Sequence, residues 1–526
     1  MRNNQSATEQ KESPRGVGGF QKNTKQLAEN VTQICGVDQV LSEIKRGELL
    51  RKDDRDSTKK VKLIESKAAV IVQKYLKGRY AYEKATESWY QWVDTHWQML
   101  EHQGDIDIAL REILDTGCGD VGFKDAYKNE IKIALIDLDG LSLPGTNPDV
   151  LPFKNGLLNL ETGRLEIVTP VNGQTWCIPY DYNPDSMCPQ ISAWLLHCVD
   201  DDAATYEYML VWLAAMMYGI NSFQQFLHLL GPGRTGKSAF IRLARALVGK
   251  SNAVSTNLKM LEGNRFESAR LYNKKLAVIS DASRYGKGIE TVKEIVGGDT
   301  LRFERKTQNP KSDFEFQGLF LIASNEPIQT NDLTGGFDRR HTTVLFKRVV
   351  TESQMQDWES RGGEEAILHS ELSGLVNLLL KIPRADIPKL IRKAPERVIE
   401  SNRDSVLANN HIVEWVLSRT KPNPENWAQM GDRREIREPG KETKFEYAGE
   451  RLYPDYLQWC SRTDNRPVNS TRFTPLLMQA CESLGIDVVK CRKPQGNGMC
   501  GLEILPDLDT PHQSSKYEHQ DEDKPF

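Results

Sequence analysis

One octapeptide constrains the fold of this chain more than any other sequence feature. Residues 231–238 read Gly-Pro-Gly-Arg-Thr-Gly-Lys-Ser and fit the pattern G-x-x-x-x-G-K-[ST] at every fixed position. The apolar run 226–230 predicts a buried strand before it, and the apolar spacing of 239–248 predicts a helix after it. This order is typical of a phosphate-binding loop in an α/β fold, whereas a merely glycine-rich turn has no need of such flanks.

Each residue of this loop is a candidate nucleotide ligand. Glycines allow backbone N–H groups to turn inward around a polyphosphate, and the N-terminus of the next helix adds the positive end of its dipole. The Lys237 ammonium is expected to reach the β- and γ-phosphates, and the Ser238 hydroxyl is expected to bind Mg²⁺. The predicted nucleotide-binding residues are Gly231, Pro232, Gly233, Arg234, Thr235, Gly236, Lys237 and Ser238.

Two later apolar runs also end in polar residues. Residues 276–280 lead to Asp281, and a buried strand in this position can deliver an acid beside the metal, the Walker B arrangement. Residues 319–324 lead to Asn325, whose amide can orient the attacking water, the role called sensor 1. An asparagine that caps a turn before Pro327 is the alternative for Asn325.

Two adjacent arginines follow these strands. Arg339 and Arg340 come after a glycine-rich segment, 335–338, and precede a fourth predicted strand over 342–346. Guanidinium groups in such a position can stabilise charge on a transferred phosphate.

Between Asp281 and Asn325 lies a basic segment with a distinctive pattern. Residues 293–299 read K-x-x-x-G-G-D, beginning at Lys293, and the cations that follow are Arg302, Arg305 and Lys306. The order of all these motifs resembles that of superfamily 3 helicases of the AAA+ class, especially the primase-helicase proteins of phages, plasmids and large DNA viruses. In that family the G-G-D segment leads into a hairpin that touches DNA.

The resemblance implies a role for each candidate residue. It implies an AAA+ core with a central parallel sheet that binds ATP and Mg²⁺, with Ser238 and Asp281 at the metal. It also implies a homo-hexameric ring, in which Arg339 or Arg340 acts on the nucleotide of the adjacent subunit. Lys293, Arg302, Arg305 and Lys306 would bind DNA, and a solvated charged strand edge is the alternative for the last three.

The predicted function follows from this resemblance: an ATP-dependent DNA helicase or translocase in replication of a phage, plasmid or other mobile element. Its expected partners are single-stranded or forked DNA, and a separate primase, because the chain before residue 225 is short for a primase domain. An AAA+ initiator or loading factor without processive unwinding is the alternative. Asp281 is followed by Ala282 and Ser283 rather than by a second acid, so the sequence does not identify the general base. An inactive scaffold that binds nucleotide is a third possibility.

The flanking segments predict several further domains. The expected divisions are a disordered N-terminus (1–25), a mostly helical helicase-associated domain (26–188), a helical collar or oligomerisation segment (189–224), the ATPase core (225–350), a helical extension (351–420), a charged connector (421–450), a winged-helix-like domain (451–505) and a disordered tail (506–526).

Three local patterns in the N-terminal region predict structure, and two of them have an alternative interpretation. Helix-spaced apolar residues predict a helix over 67–82. The aromatic residues that follow, from 89 to 97, favour burial in a small core over stacking on bases. Residues 136–140 resemble a strand that ends in metal-binding carboxylates, but a simple turn at the strand end is favoured.

Composition places the chain among cytoplasmic proteins. The net charge of −4 argues against a basic coat for nucleic acid, although it allows a local basic channel. No apolar run approaches the ~20 residues that span a bilayer, so no membrane partner is expected. The nine cysteines include no C-x-x-C pair and are expected to be reduced thiols. His197, Cys188 and Cys198 favour packing in a helix over metal binding.

Overall fold

The computed structural model describes residues 43–52, 61–100, 103–282, 289–304, 312–328, 338–437, 443–463, 465 and 467–506. The segments predicted to be disordered, 1–25 and 506–526, lie outside these ranges except for residue 506. None of the helices in the described ranges is long and apolar enough to cross a membrane.

The region before the nucleotide loop combines helices with small antiparallel sheets. Its helices contain more residues than its strands, and they are α1 (Glu65–Leu76), α2 (Gln103–Cys118) and α3 (Asp125–Asp137). The first sheet pairs β1 (Leu50–Lys52) with β2 (Val61–Leu63). The second sheet contains β3 (Tyr80–Glu83), β4 (Ser88–Trp92) and β5 (Trp97–Met99). The third sheet contains β6 (Val150–Phe153), β7 (Gly156–Asn159) and β8 (Leu165–Glu166).

The helix predicted over 67–82 is too long. It ends at Leu76, and Gly78 then adopts a φ of 78°, a left-handed conformation that favours glycine. Tyr80–Glu83 pairs instead with Ser88–Trp92 as an antiparallel strand. The aromatic side chains of this sheet, including Tyr90 and Trp97, are buried, so the prediction of a small aromatic core is confirmed.

The strand predicted at residues 136–140 is wrong. Residues up to Asp137 belong to α3, and a short 3₁₀ turn over Asp139–Leu141 follows. Ile131 and Leu135 are both fully buried, and their spacing of four residues fits one face of a helix.

The central unit contains a five-stranded parallel sheet. In chain order its elements are α4 (Pro189–Cys198), α5 (Ala203–Tyr218), β9 (Phe226–Leu230), α6 (Lys237–Val248), β10 (Ala253–Ser255), α7 (Leu258–Gly263), β11 (Leu276–Ile279), α8 (Ile289–Gly297), β12 (Leu301–Phe303), β13 (Ser312–Phe314), β14 (Leu319–Ser324) and β15 (His341–Leu345). The sheet order is β10-β11-β14-β9-β15, and every neighbouring pair is parallel. This α/β architecture agrees with the AAA+ core that the motifs predict.

Helix α5 belongs to the core of this unit. Asp202 caps its start by accepting a hydrogen bond from the Thr205 backbone, and Gly219 ends it with a φ of 71°. Nearly every residue from Tyr208 to Met217 is buried, in the same hydrophobic cluster as β9 and α6. The predicted collar or oligomerisation segment, 189–224, therefore contains a helix of which most residues belong to the core.

The segment after β15 is mainly helical up to residue 419. Its helices are α9 (Glu352–Ser360), α10 (Gly363–Leu379), α11 (Ile387–Arg392), α12 (Glu396–Asn409) and α13 (His411–Arg419).

The charged connector predicted over 421–450 begins with a strand. Strand β16 (Thr420–Gln429) pairs antiparallel with the last strand of the chain, at the edge of a three-stranded sheet. The sequence did not predict this strand because it contains Pro422 and Pro424. Proline argues against a strand in general, yet it is tolerated in the edge strand of a sheet. The rest of this stretch contains the short strands β17 (Glu435–Ile436) and β18 (Lys444–Phe445).

The segment predicted as a winged-helix-like domain, 451–505, packs with α13 and β16 in one C-terminal unit. Besides α13 and β16 it contains α14 (Leu452–Arg462), α15 (Ser470–Ser483), β19 (Val489–Lys493) and β20 (Gly496–Ile504). Trp415, Tyr456 and Phe473 pack together in its core, and a buried ion pair joins Arg419 to Asp455 at 2.7 Å.

One cysteine pair departs from the prediction of reduced thiols. Cys491 and Cys500 form a disulfide, because the β19–β20 hairpin brings their Cα atoms within 6.4 Å. The other cysteines in the described ranges are free and buried: Cys118, Cys177, Cys188, Cys198, Cys460 and Cys481.

Candidate nucleotide-binding site

The predicted loop connects β9 to α6 in a strained turn. Gly231 has a φ of 156° and Gly236 a φ of 93°, and Arg234 between them has a φ of 63°. A Cβ atom on Gly231 would lie 2.0 Å from the backbone oxygen of Phe346, whereas a Cβ on Gly233 would meet nothing within 4 Å. Close packing with backbone therefore requires a glycine at 231 but not at 233.

Gly231→Ala is expected to lower the unfolding temperature by several degrees and to weaken nucleotide binding, because the new methyl group collides with backbone. Gly233→Ala is the matched control and should leave the unfolding temperature nearly unchanged. Thermal unfolding of both purified variants tests the contrast. Equal unfolding temperatures for the two variants would contradict it.

Lys237 is held inside the loop. Its side chain is 8% exposed, and Nζ donates to the backbone oxygens of Gly231 at 2.6 Å and Pro232 at 2.7 Å. Burial lowers the pKa of this ammonium group. Ser238, the next residue in the first turn of α6, is exposed. The first turn of α6 thus presents a cation and a hydroxyl beside free backbone N–H groups.

The strand ends bring Asp281 and Asn325 to the same edge of the sheet as the loop. β14 lies between β11 and β9 in the sheet. The Gly231 N–H donates to the backbone oxygen of Ser324 at 3.4 Å. The Ala282 N–H donates to the Ala323 oxygen at 3.0 Å. Since neighbouring strands lie ~4.8 Å apart, Asp281 is about 10 Å across the edge from Gly231. Both Asp281 and Asn325 are exposed, as a ligand would require.

The donor set at this edge fits Mg²⁺. A hydroxyl from Ser238 and a carboxylate from Asp281 are hard oxygen ligands, and Mg²⁺ usually keeps several waters beside one or two protein oxygens. Glu326, directly after Asn325, is a second exposed carboxylate at this edge. The sequence analysis overlooked it, although the run Asn325-Glu326-Pro327 contained the signal.

A buried histidine pair links three strands of the site, and the sequence analysis did not find it. His228 of β9 and His341 of β15 share a hydrogen bond of 2.8 Å between Nδ1 and Nε2. The other nitrogen of His228 contacts the Ser324 hydroxyl at 2.7 Å. Burial lowers the pKa of His341 to about 3 and that of His228 well below its usual value, so both rings are neutral at neutral pH.

This pair adjoins two candidate catalytic positions. Ser324 precedes Asn325, and His341 follows Arg340. The sequence feature that could have indicated this buried pair was the histidine inside the apolar run 226–230.

The two candidate arginines have different surroundings. Arg339 is exposed, whereas Arg340 is half-buried. A Cβ atom on Gly297, at the end of α8, would lie 3.1 Å from Nη2 of Arg340. Arg340 thus packs against the start of the G-G-D segment of its own subunit, near the negative end of the α8 dipole. Arg339 is the arginine whose side chain can reach outward.

The predicted DNA-binding residues are only partly described. β12 and β13 pair antiparallel and form the base of a hairpin at the expected place. Arg302 of β12 is exposed and lies opposite Asp313, while Lys293 is half-buried on α8 and does not belong to the hairpin. Arg305 and Lys306 lie outside the described residues.

Two family models match the chain in succession. Residues 68–200 match the model "D5 N terminal like", and residues 229–340 match a family of unknown function, DUF5906. The second match runs from the end of β9 through the arginine pair.

Three known proteins are similar over parts of the chain. The protein named "Putative helicase L207/L206" of Acanthamoeba polyphaga mimivirus is 25% identical over 247 residues, which is 44% of this chain and 25% of the viral protein. An uncharacterized mitochondrial protein of Marchantia polymorpha, ymf20, is 25% identical over 117 residues, which is 22% of this chain and 70% of that protein. A second one, ymf21, is 26% identical over 121 residues, which is 21% of this chain and 67% of that protein.

Two solved structures match parts of the chain, both with TM-scores below 0.5. The apo A form of the NrS-1 C terminal region has a TM-score of 0.42 and 13% identity, with 83% of this chain and 98% of that chain covered. A JCV helicase structure has a TM-score of 0.27 and 18% identity, with 38% of this chain and 58% of that chain covered.

The family matches agree with the motif order and with the parallel sheet described above. A D5 N-terminal-like region precedes a phosphate-loop core on one chain, and a viral protein named as a putative helicase is among the relatives. The chain therefore resembles a D5 N-terminal-like region over residues 68–200 and the DUF5906 family over residues 229–340.

Proposed function

We propose that this protein is an ATP-dependent DNA helicase or translocase of superfamily 3 that acts in replication of a phage, plasmid or other mobile element. One observation carries the proposal: the loop with Lys237 and Ser238, the acid Asp281 and the amide Asn325 lie along one edge of three adjacent parallel strands. This combination provides a phosphate cradle, a metal-binding acid and a group that orients water.

Each residue has a separate task in this proposal. Lys237 leaves the loop carbonyls and binds the β- and γ-phosphates. Ser238 and Asp281 hold Mg²⁺, which neutralises phosphate charge when it is bound. Asn325 orients the attacking water, and Asp281 or Glu326 accepts its proton, since no second acid follows Asp281 directly.

The ring is the second part of the proposal. Arg339, exposed at the start of β15, reaches the nucleotide of the next subunit, while Arg340 supports the G-G-D segment of its own subunit. This arrangement requires a heterologous interface that closes, and we propose a homo-hexamer. The β12–β13 hairpin, with Arg302 near its base, contacts DNA phosphates and moves with each round of hydrolysis.

The alternative is an AAA+ initiator or loading factor that binds DNA and ATP without processive unwinding. The two functions differ in one measurement. A forked DNA substrate should be separated by the wild-type protein with ATP and Mg²⁺, and not by Lys237→Ala. ATP hydrolysis without strand displacement would favour the loading factor, and the absence of both would favour a scaffold.

A further inference from the structure

A chain of buried hydrogen bonds crosses the parallel sheet from one edge to the other. It runs from His341 of β15 to His228 of β9 at 2.8 Å, and from His228 to the Ser324 hydroxyl of β14 at 2.7 Å. His341 is the first residue of β15, whereas Ser324 is the last residue of β14. In the sheet register, His341 is paired with Phe226 and Ser324 with Leu230. Since a parallel strand rises ~3.3 Å per residue, the chain advances by ~13 Å along β9, towards the edge that carries the nucleotide loop.

Each end of this chain holds a turn that contains candidate catalytic residues. The Ser324 hydroxyl donates to the backbone oxygen of Glu326, so this hydrogen bond spans Asn325. At the opposite edge, the 3₁₀ turn Asp338–Arg340 directly precedes His341 and contains both candidate arginines. The two turns are therefore connected through β9, the strand that leads into the nucleotide loop.

The contacts fix the direction of every hydrogen bond in the chain. The single hydroxyl hydrogen of Ser324 is donated to the Glu326 carbonyl, so Nε2–H of His228 donates to the Ser324 oxygen. Both rings are neutral because they are buried, so Nδ1 of His228 accepts from Nε2–H of His341. All three bonds thus point from His341 towards Glu326, and aligned hydrogen bonds strengthen one another.

Stability alone does not account for this chain. His228 is fully buried, His341 and Ser324 are each 2% exposed, and the other four residues of β9 are apolar. Hydrogen bonds between buried polar groups mainly offset the cost of removing those groups from water, and apolar side chains could fill the same space at a similar stability. A fully satisfied polar network does, however, fix the relative positions of the segments that it joins.

We propose that His228 and His341 are positioning residues, which hold the Asn325 turn of a subunit in register with the arginine turn that the same subunit presents to its neighbour. The inference rests on the proposed hydrolysis of ATP at subunit interfaces, and it adds a physical connection between one nucleotide site and the next. Asn325 and the arginines act on the attacking water and on the transferred phosphate. The histidine pair therefore affects the rate of hydrolysis and not the affinity for nucleotide.

The test is the double variant His228→Leu/His341→Leu. Its unfolding temperature should stay within a few degrees of the wild-type value, because removal of both partners leaves no imidazole unsatisfied and Ser324 keeps its bond to Glu326. Its affinity for the non-hydrolysable analogue AMP-PNP with Mg²⁺, measured by calorimetry, should stay within about twofold. Its kcat for ATP hydrolysis should fall by about tenfold or more, because small displacements of groups at the reacting centre are costly.

Two single variants complete the test. His341→Gln places an amide N–H near the position of the imidazole Nε2, so it should keep kcat within about threefold of the wild-type value. Thr343→Val is the matched control: the Thr343 hydroxyl contacts Nε2 of His341 at 3.1 Å but leads to neither turn. This variant should hydrolyse ATP at the wild-type rate.

The inference is overturned if the double variant keeps the wild-type kcat, if it loses kcat and AMP-PNP affinity equally, or if it does not fold. A loss of about tenfold in His341→Gln would overturn it as well, because the donor to His228 is retained there. Lys237→Ala separates these failures from that of the proposed function. Hydrolysis that is unchanged in Lys237→Ala would overturn the nucleotide site itself, whatever the histidine variants do.

Discussion

Lys237→Ala should lower the rate constant of ATP hydrolysis by about 100-fold or more, because one well-placed charged donor contributes roughly 10²–10³ in rate. The lysine is 8% exposed and is the cation enclosed by the loop, with two carbonyl contacts below 2.8 Å. Alanine leaves the phosphate charge without this partner.

The effect on stability should be much smaller. The substitution removes two hydrogen bonds to carbonyls that water can solvate, so the unfolding temperature should fall by only about 2–4 °C. Phosphate release and thermal unfolding on the same preparation measure both effects. Lys250, just beyond the other end of α6, has a side chain that is 80% exposed, and Lys250→Ala is the control. Hydrolysis in Lys237→Ala at more than about a tenth of the wild-type rate would contradict the assigned role.

Mixing two inactive variants should restore hydrolysis. Lys237→Ala lacks a functional loop but keeps Arg339, whereas Arg339→Ala keeps the loop but lacks the exposed arginine. If each site combines the loop of one subunit with Arg339 of the next, about one quarter of the interfaces in a random 1:1 ring are complete. The mixed sample should therefore hydrolyse ATP well above either variant alone.

Arg340→Ala provides the contrast within the same experiment. Its guanidinium group packs against Gly297 in the same subunit, so its loss damages the subunit that also supplies the loop. Mixing Arg340→Ala with Lys237→Ala should restore little activity. Rescue by Arg340→Ala and not by Arg339→Ala would reverse the two assignments. No rescue in either mixture would argue against a site shared between subunits.

Several parts of the site were predictable because they depend on local sequence. Buried strands leave long apolar runs, so β9 and β14 have the bounds that the sequence predicts, and β15 is shifted by one residue. The polar residues that follow these runs lie at one edge because parallel strands share a direction. The loop itself is a continuous stretch of chain.

Other features depended on pairing between distant segments and were missed. The strand Thr420–Gln429 exists because it pairs with β20, whose residues lie 69 to 84 positions later in the chain. The disulfide between Cys491 and Cys500 arises from the register of one hairpin. No local pattern encodes either contact, and prolines in the strand suggested the opposite.

By itself, the sequence determined the phosphate loop, the strands that lead to Asp281 and Asn325, and the family that the order of these motifs resembles. Only the tertiary structure distinguished Gly231 from Gly233 and Arg339 from Arg340, because burial and close contact decide each difference. The tertiary structure also joined His228 to His341. Residues far apart in the chain form these sites, so no motif along the sequence could contain them.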